Sequence, residues 1–139
     1  MAYRIREYTG YDEREILPLY ESVGWSNYSR NPAMLRQAYA HSLRVYAAYD
    51  GDALVGVIRV VGDGFSVVFV QDLLVQPDHQ RKGVGTALLR RVLEEYENVY
   101  QLHLLTDNTE KSVAFYRSLG FRMDSDIGCI AFSRFHVPE

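Results

Sequence analysis

The chain has 139 residues and a mass of 16.0 kDa, which is the size of one domain and excludes two domains of ordinary length. Hydrophobic residues make up 47% and charged residues 24%, which excludes a disordered tail and a collagen-like fibre. The formal net charge of −3 and the lack of an extended basic face argue against nucleic-acid binding. We therefore predict a single globular domain over residues 1–139 that binds no nucleic acid.

Membrane insertion and export are not indicated. The longest apolar stretches, such as residues 65–70, are far shorter than the ~20 residues of a membrane span. The N-terminal sequence M-A-Y-R-I-R-E lacks the continuous apolar segment of a secretory signal. The single cysteine, Cys129, cannot form an internal disulfide and is expected to be a small buried hydrophobic residue. We expect a cytoplasmic protein with no membrane partner.

The first 42 residues predict one strand and two helices. Residues 3–8 alternate as in a strand, and an apolar helical face follows. That face consists of Ile16, Leu19, Tyr20 and Val23. Pro18 interrupts it, so the helix either begins near Pro18 or bends there. Asn31 and Pro32 then predict a second helix start, because a capping side chain precedes a proline at the first helical position.

The middle of the chain predicts an antiparallel meander. Residues 44–49, 54–61 and 66–75 have strand patterns, and the two turns between them contain glycine. An apolar stripe over residues 84–96 predicts a helix, and residues 101–105 fit a fifth strand.

The C-terminal part predicts one more helix and two strands. The helix follows Asn108 and ends at Gly120, a residue type that favours the left-handed C-cap. The strands, around Phe121 and at 130–137, are expected to complete a sheet of six to seven strands. With about four helices, the fold class is α+β, with a mixed and largely antiparallel sheet.

The segment Q-R-K-G-V-G-T-A, residues 80–87, lies between a predicted strand and a predicted helix. Its glycines permit close approach of a ligand, and the first-turn amides of a helix point outward to an anion such as a pyrophosphate. Residues 79–91 hold four basic residues and no acidic one. Leu88 stands where a dinucleotide fingerprint has Gly or Ala, and the Gly-Lys-Ser/Thr of a P-loop is missing. The alternative is a glycine-bearing turn that only connects two elements.

A second pattern, N-x-x-x-S-x-A-x-Y-x-x-L-G-F, runs from Asn108 to Phe121. Together with Q-R-K-G-V-G, it resembles the GCN5-related N-acetyltransferase (GNAT) family, whose acetyl-CoA loop has the form Q/R-x-x-G-x-G/A. The resemblance covers roughly residues 45–121. It implies acetyl-CoA as co-substrate and a sheet in which the fourth and fifth strands splay apart.

The resemblance also assigns residues to acetyl-CoA. Backbone amides of the glycine loop would hold the pyrophosphate, the end of the fourth strand would pair its main chain with the pantetheine arm, and the last helix would contact the pantetheine and the thioester. The residues so assigned are Leu73, Leu74, Val75, Gln80, Arg81, Lys82, Gly83, Val84, Gly85, Thr86, Asn108, Ser112 and Tyr116.

Acetyl transfer to an amine needs a base, because only the neutral amine attacks the thioester. Asp72 is the first candidate, since it lies near the end of an otherwise apolar strand; the alternative is a structural Asp bonded to backbone amides. His103 and His41 are rival bases. The resemblance makes Tyr116 the acid that protonates the leaving thiolate, and the alternative is a packed aromatic residue. No ligand spacing indicates a metal.

The acceptor site is expected among the N-terminal helices. Aromatic rings and a carboxylate there suit a protonated or aromatic amine, and the alternative is that the rings belong to the core. These residues are Tyr20, Glu21, Trp25, Tyr28 and Tyr39. The string V-G-W before Asn31 also resembles relatives of small arylalkylamine acetyltransferases.

The sequence therefore predicts an N-acetyltransferase that transfers an acetyl group from acetyl-CoA to a primary amine by direct attack. The expected acceptor is a small molecule of the aromatic amine or diamine type. The alternatives are acetylation of a protein lysine or N-terminus, and a non-catalytic acyl-CoA-binding module. Exposed edge strands near the C-terminus favour a homodimer.

Overall fold

The structure is a computed structural model that describes residues 2–136. The chain divides into two compact units, Met1–Leu105 and Thr106–Glu139. The elements of the first unit are β1 (Arg4–Glu7), α1 (Glu13–Ser22), α2 (Ser26–Ser29), α3 (Pro32–Ala40), β2 (Arg44–Asp50), β3 (Ala53–Gly62), β4 (Val67–Val75), a 3-10 turn (Pro77–His79), α4 (Val84–Glu95) and β5 (Gln101–Leu104). The second unit contains α5 (Glu110–Ser118) and a 3-10 turn (Asp124–Ile127).

The first unit is built on a five-stranded sheet in the order β1-β2-β3-β4-β5. Strands β1 to β4 are antiparallel neighbours, and β5 runs parallel to β4. The predicted fold class, a mixed and largely antiparallel sheet with helices, is confirmed.

Strand β4 has a bulge at Gln71. Val60 of β3 lies opposite Val70, whereas its neighbour Arg59 lies opposite Asp72, so Gln71 is the extra residue. The pairing of β4 with β5 covers only Val67–Val70 and ends there. Within residues 2–136, the edge of residues 71–75 that faces away from β3 therefore has no strand partner, which is the parting of the fourth and fifth strands expected from the resemblance.

Helices pack on both faces of the sheet. One face carries α1 and α3, whose buried residues Ile16, Leu19, Tyr20, Leu35 and Tyr39 form a core with Val45, Ala47, Tyr49, Val57 and Leu74. The opposite face carries α4, and a Cβ atom added at Gly56 would lie 3.3 Å from both Val84 and Leu88 of that helix. Gly56 thus lets α4 approach the sheet closely.

Helix α1 begins at Glu13, well before Pro18. Its N-cap is Asp12, whose side chain accepts a hydrogen bond from the Arg14 amide. Pro18 therefore lies inside the helix, and a start near Pro18 is wrong. Proline has no N–H to donate to the carbonyl of Arg14 one turn earlier, so α1 lacks one of its backbone hydrogen bonds.

The predicted number of strands is too high. Neither the segment around Phe121 nor residues 130–136 forms a strand, and Val137 lies outside the described residues. Ile130 and Phe132 are 71% and 88% exposed, and Cys129 is exposed as well, contrary to the expected burial. A strand pattern is not sufficient, because a strand also needs a neighbour that pairs with its backbone. No helix within residues 2–136 is long and apolar enough to cross a membrane.

Gly62 at the end of β3 gives a test of the β3–β4 turn. Its φ is +130°, and a Cβ atom there would overlap the carbonyl oxygen of Val67. We expect Gly62→Ala to lower the free energy of unfolding by about 1–3 kcal/mol. Gly10→Ala is the control, since its added Cβ would meet nothing within 4 Å, and it should change stability by less than about 0.5 kcal/mol. Urea unfolding measures both, and equal stabilities would contradict the strain at Gly62.

Candidate active site

The glycine-containing loop joins β4 to α4. The Gln80 side chain donates to the carbonyl oxygen of Val75 at 3.0 Å and so ties the loop to the end of β4. Arg81 and Gly83 have left-handed backbones, with φ of 64° and 84°. Gly83 is the N-cap of α4 and provides no capping side chain. The first amides of α4 are therefore available to an anion.

The predicted cofactor residues of the first unit are exposed or partly exposed, except for Leu74 and Val84, whose side chains are buried. Residues 80–83 are exposed, and Gly85 and Thr86 are partly exposed. Leu73 and Val75 are partly buried on the edge of β4 that β5 leaves unpaired. Leu74 has its side chain in the core, so only its main chain is placed to meet a ligand.

Asp72 lies in a buried cluster of side chains from several elements and is 1% exposed. Its Oδ2 accepts hydrogen bonds from Arg59 Nε at 2.7 Å and from the Tyr20 hydroxyl at 2.8 Å. The Tyr39 hydroxyl lies 2.9 Å from that of Tyr20. Since the single proton of Tyr20 goes to Asp72, Tyr39 is the donor to Tyr20. Asp72 Oδ1 is buried without a hydrogen-bond partner among the described residues.

Arg59 is the cation of this cluster. Its Nη1 donates to Ser42 Oγ at 3.2 Å, and its guanidinium lies 5.7 Å from the centre of the Tyr39 ring. Burial acts to lower the pKa of Arg59, but the Asp72 carboxylate outweighs it and the pKa is raised. Burial also raises the pKa of Tyr20 and of Tyr39, so both phenols stay neutral.

The sequence reasoning missed Arg59. The signal was a lone arginine in the apolar segment L-V-G-V-I-R-V-V of β3, matched by a lone aspartate in the apolar β4. Asp72 is bonded to side chains, not to the backbone amides that the structural alternative assumed. Its role as the base stays a prediction. Of the rival bases, His41 contacts the carbonyl of Gln37 at 2.9 Å, and His103 contacts the side chain of Gln101 at 3.1 Å.

The residues expected at the acceptor site fall into two groups. Tyr20 and Tyr39 are core residues, whereas Trp25 and Tyr28 are only half-buried. The three rings of Tyr20, Trp25 and Tyr28 are in mutual contact, with centroids 5.4–6.1 Å apart. Gln71 at the bulge reaches the Tyr28 hydroxyl with its Nε2 at 3.5 Å. Glu21, near the C-terminal end of α1, is exposed.

The second unit holds the other predicted residues. Tyr116 is half-buried on α5 and packs edge-on against Phe115 and Phe121, with centroids 5.0 and 5.8 Å away. Burial raises the pKa of its phenol, and a hydrogen bond with the Thr106 side chain opposes this. At neutral pH the phenol is therefore protonated and able to donate.

Two predicted pantetheine contacts lie at the start of α5. Asn108 is exposed, and the Ser112 hydroxyl donates to Asp107 Oδ1 at 2.9 Å. The Ser112 amide is capped by Thr109 Oγ1. Asp107, which the sequence reasoning missed, thus organises the turn before α5. Across residues 2–136, no group of three or more His, Cys, Asp and Glu side chains is placed to hold a metal ion.

Comparison with known proteins identifies the family. The model of the acetyltransferase (GNAT) domain matches residues 11–136. The chain belongs to the GNAT family. A solved GNAT acetyltransferase from Streptococcus pneumoniae shares 45% identity and superposes with a TM-score of 0.88, covering 97% of this chain and 98% of that one.

Plant proteins are also among the relatives of this GNAT chain. The chloroplastic serotonin N-acetyltransferase 2 of rice is 31% identical over 134 residues, which cover 93% of this chain and 66% of the relative. The histone acetyltransferase TAP1 of soybean is 29% identical over 126 residues, which cover 83% of this chain and 54% of the relative. The chain therefore spans about half to two thirds of the length of these relatives.

GNAT enzymes use acetyl-CoA as co-substrate, and the residues of this chain fit it. The N-terminus of α4 has no side-chain cap, basic side chains flank it, and the unpaired edge of residues 71–75 offers main-chain groups to an extended arm. A pyrophosphate and a pantetheine chain need these groups.

Gly83 gives a test of the pyrophosphate site. Gly83→Ala places a methyl group on the exposed loop where the pyrophosphate is expected. Gly51→Ala is the matched control, because Gly51 also has a positive φ and open surroundings but lies in the β2–β3 turn. Each variant should lose about 1–2 kcal/mol of stability.

We expect acetyl-CoA to bind Gly83→Ala at least about tenfold more weakly, equivalent to ~1.4 kcal/mol. Titration calorimetry, together with the shift in Tm on adding acetyl-CoA, measures this. Equal affinity in the two variants would place the pyrophosphate elsewhere.

Proposed function

We propose that the chain is an N-acetyltransferase that transfers an acetyl group from acetyl-CoA to a small primary amine of the aromatic amine or diamine type. One observation carries the acceptor class. The half-buried rings of Trp25 and Tyr28 pack against Tyr20, which joins them to the Asp72 carboxylate. The Tyr28 hydroxyl also contacts Gln71 at the β4 bulge. Ring faces next to a carboxylate suit an ammonium group on an apolar or aromatic body.

The chemistry is direct attack. Asp72 is the proposed base, which accepts a proton from the acceptor ammonium. The neutral nitrogen then forms a bond to the thioester carbonyl carbon, gives up its second proton to solvent, and the C–S bond breaks. Tyr116 is the proposed acid: its phenol gives a proton to the departing thiolate and takes one back from solvent.

The names of the relatives support two acceptor classes. The rice relative is named for serotonin, a small aromatic amine, and the soybean relative is named for histones. Trp25 and Tyr28 favour a small aromatic amine over a protein lysine, because a lysine side chain has no aromatic body to pack on the rings. Two other functions could replace the proposed one. They are acetylation of a protein lysine or N-terminus, and binding of acyl-CoA without catalysis. The cytoplasmic location and the homodimer stay predictions.

A panel of acceptors tests the acceptor class. Release of CoA is measured with an arylethylamine, a diamine, a simple alkylamine, a lysine-containing peptide and a peptide with a free N-terminus. We expect the highest kcat/KM with the arylethylamine or the diamine. Higher kcat/KM with a peptide would overturn the proposal in favour of a protein substrate, and no turnover with any acceptor would indicate a binding module.

Tyr28→Ala tests whether the rings hold the amine. We expect KM for the preferred amine to rise roughly 5- to 30-fold, the equivalent of the ~1–2 kcal/mol of a cation–π contact. Tyr100→Ala is the control, since the Tyr100 ring is 82% exposed, and it should leave KM unchanged. An equal effect of the two substitutions would show that Tyr28 does not contact the acceptor.

Tyr116→Phe tests the proposed acid. The ring packing against Phe115 and Phe121 is kept while the proton donor is lost, so we expect an unchanged acetyl-CoA-induced shift in Tm. We expect kcat to fall roughly 10- to 100-fold, the low end of general acid catalysis, because a CoA thiol is already a fair leaving group. The fall should be larger with a basic alkylamine than with a weakly basic arylamine. Equal falls with both acceptors, or no fall, would make Tyr116 a packing residue.

A further inference from the structure

The two oxygens of Asp72 have different surroundings. We propose that Arg59 and Tyr20 are positioning residues that hold Asp72 by Oδ2 and leave Oδ1 as the oxygen that takes the proton of the acceptor amine, directly or through one water. This inference rests on the proposed function, in which Asp72 is the base.

Oδ2 is held from two directions. Arg59 lies opposite Asp72 in the β3–β4 register and donates through Nε at 2.7 Å. Tyr20 reaches the same oxygen from α1 at 2.8 Å, and the hydroxyl of Tyr39 from α3 lies 2.9 Å from that of Tyr20. Donors from a strand and a helix restrict rotation of the carboxylate, so Oδ1 has a fixed place.

Oδ1 is the unusual atom. It is buried and has no hydrogen-bond partner among the described residues, although Oδ2 of the same carboxylate has two. A buried carboxylate oxygen without a donor is costly, and native proteins retain few such atoms without a reason. An N–H of the acceptor, or a water that it polarises, is the donor that Oδ1 lacks.

Arg59 is the charged group that faces Asp72, and the other titratable groups near it are neutral tyrosines. The titratable groups that act on the cluster are Arg59 from β3, Tyr20 from α1 and Tyr39 from α3, with Tyr8 next to Tyr39. Burial raises the pKa of all three phenols, so Arg59 is the charged partner of Asp72. In the proposed step, one N–H bond of the ammonium breaks and one O–H bond forms at Oδ1, while Arg59 and Tyr20 keep their protons.

The decisive comparison is Tyr20→Phe against Tyr11→Phe. Tyr20→Phe removes one donor from Oδ2. Tyr11→Phe removes a buried hydroxyl that has no hydrogen-bond partner within residues 2–136, from a ring stacked on Tyr39 at 5.1 Å. It is therefore a matched control in the same core. The pH dependence of kcat/KM is measured with the best acceptor of the panel.

Loss of a donor to the ionised form raises the pKa of a carboxyl group. In Tyr20→Phe we therefore expect the acidic limb of the kcat/KM profile to move upward by about one pH unit. In Tyr11→Phe it should not move. Arg59→Lys keeps the charge but loses the Nε contact, and we expect an upward shift there too. Arg59→Lys serves as the second variant if Tyr20→Phe does not fold.

Asp72→Asn separates failure of the inference from failure of the proposed function. If Asp72→Asn keeps the wild-type profile, Asp72 is not the base. The positioning inference and the proposed role of Asp72 are then both overturned. If Asp72→Asn is inactive but Tyr20→Phe loses activity equally at every pH, or not at all, the positioning inference is overturned and the proposed base stands. A wild-type acidic limb of the kcat/KM profile in both Tyr20→Phe and Arg59→Lys would also overturn it.

Discussion

The ion pair between Arg59 and Asp72 organises the first unit. The two residues are 5% and 1% exposed, so both charges have lost most of their hydration. Additional hydrogen bonds help to offset this loss of hydration, and removing one partner of such a pair typically costs about 3–5 kcal/mol. Here Ser42 and Tyr20 supply the additional bonds. The pair therefore connects β3 and β4 to α1 and to the segment after α3.

This connection helps to explain how α1 tolerates Pro18. A proline in a helix interior removes a backbone hydrogen bond and typically costs about 3 kcal/mol or more. The apolar face of α1 is buried over Ile16, Leu19 and Tyr20, and Tyr20 adds a hydrogen bond to a charged group. Tertiary packing and this bond offset the loss in the backbone, so the helix runs from Glu13 to Ser22 without a break.

Local features of the fold could be predicted from the sequence, and long-range ones could not. Asn31 and Pro32 start a helix where predicted, and the glycine loop lies between β4 and α4 as its residues indicate. Residues 130–136 have a strand-like pattern, but nothing in that pattern shows whether a neighbour pairs with it. The partners of Asp72 lie 13 and 52 positions away, so finding them requires the strand register and the placement of α1.

The bulge at Gln71 determines which helices the side chains at the end of β4 pack against. Before it, Val70 lies opposite Val60, on the sheet face that α4 covers; after it, Leu74 lies opposite Val57, in the core with α1 and α3. Because of this one inserted residue, Leu74 faces α1 and α3, although regular alternation from Val70 would turn it toward α4. If the ladder ran on regularly past Val70 without the bulge, Gln71 would lie opposite Arg59, and Asp72 would lie opposite Ile58 on the other face of the sheet. The buried arginine would then face an uncharged amide, and the carboxylate that neutralises it within the described cluster would be on the side of α4.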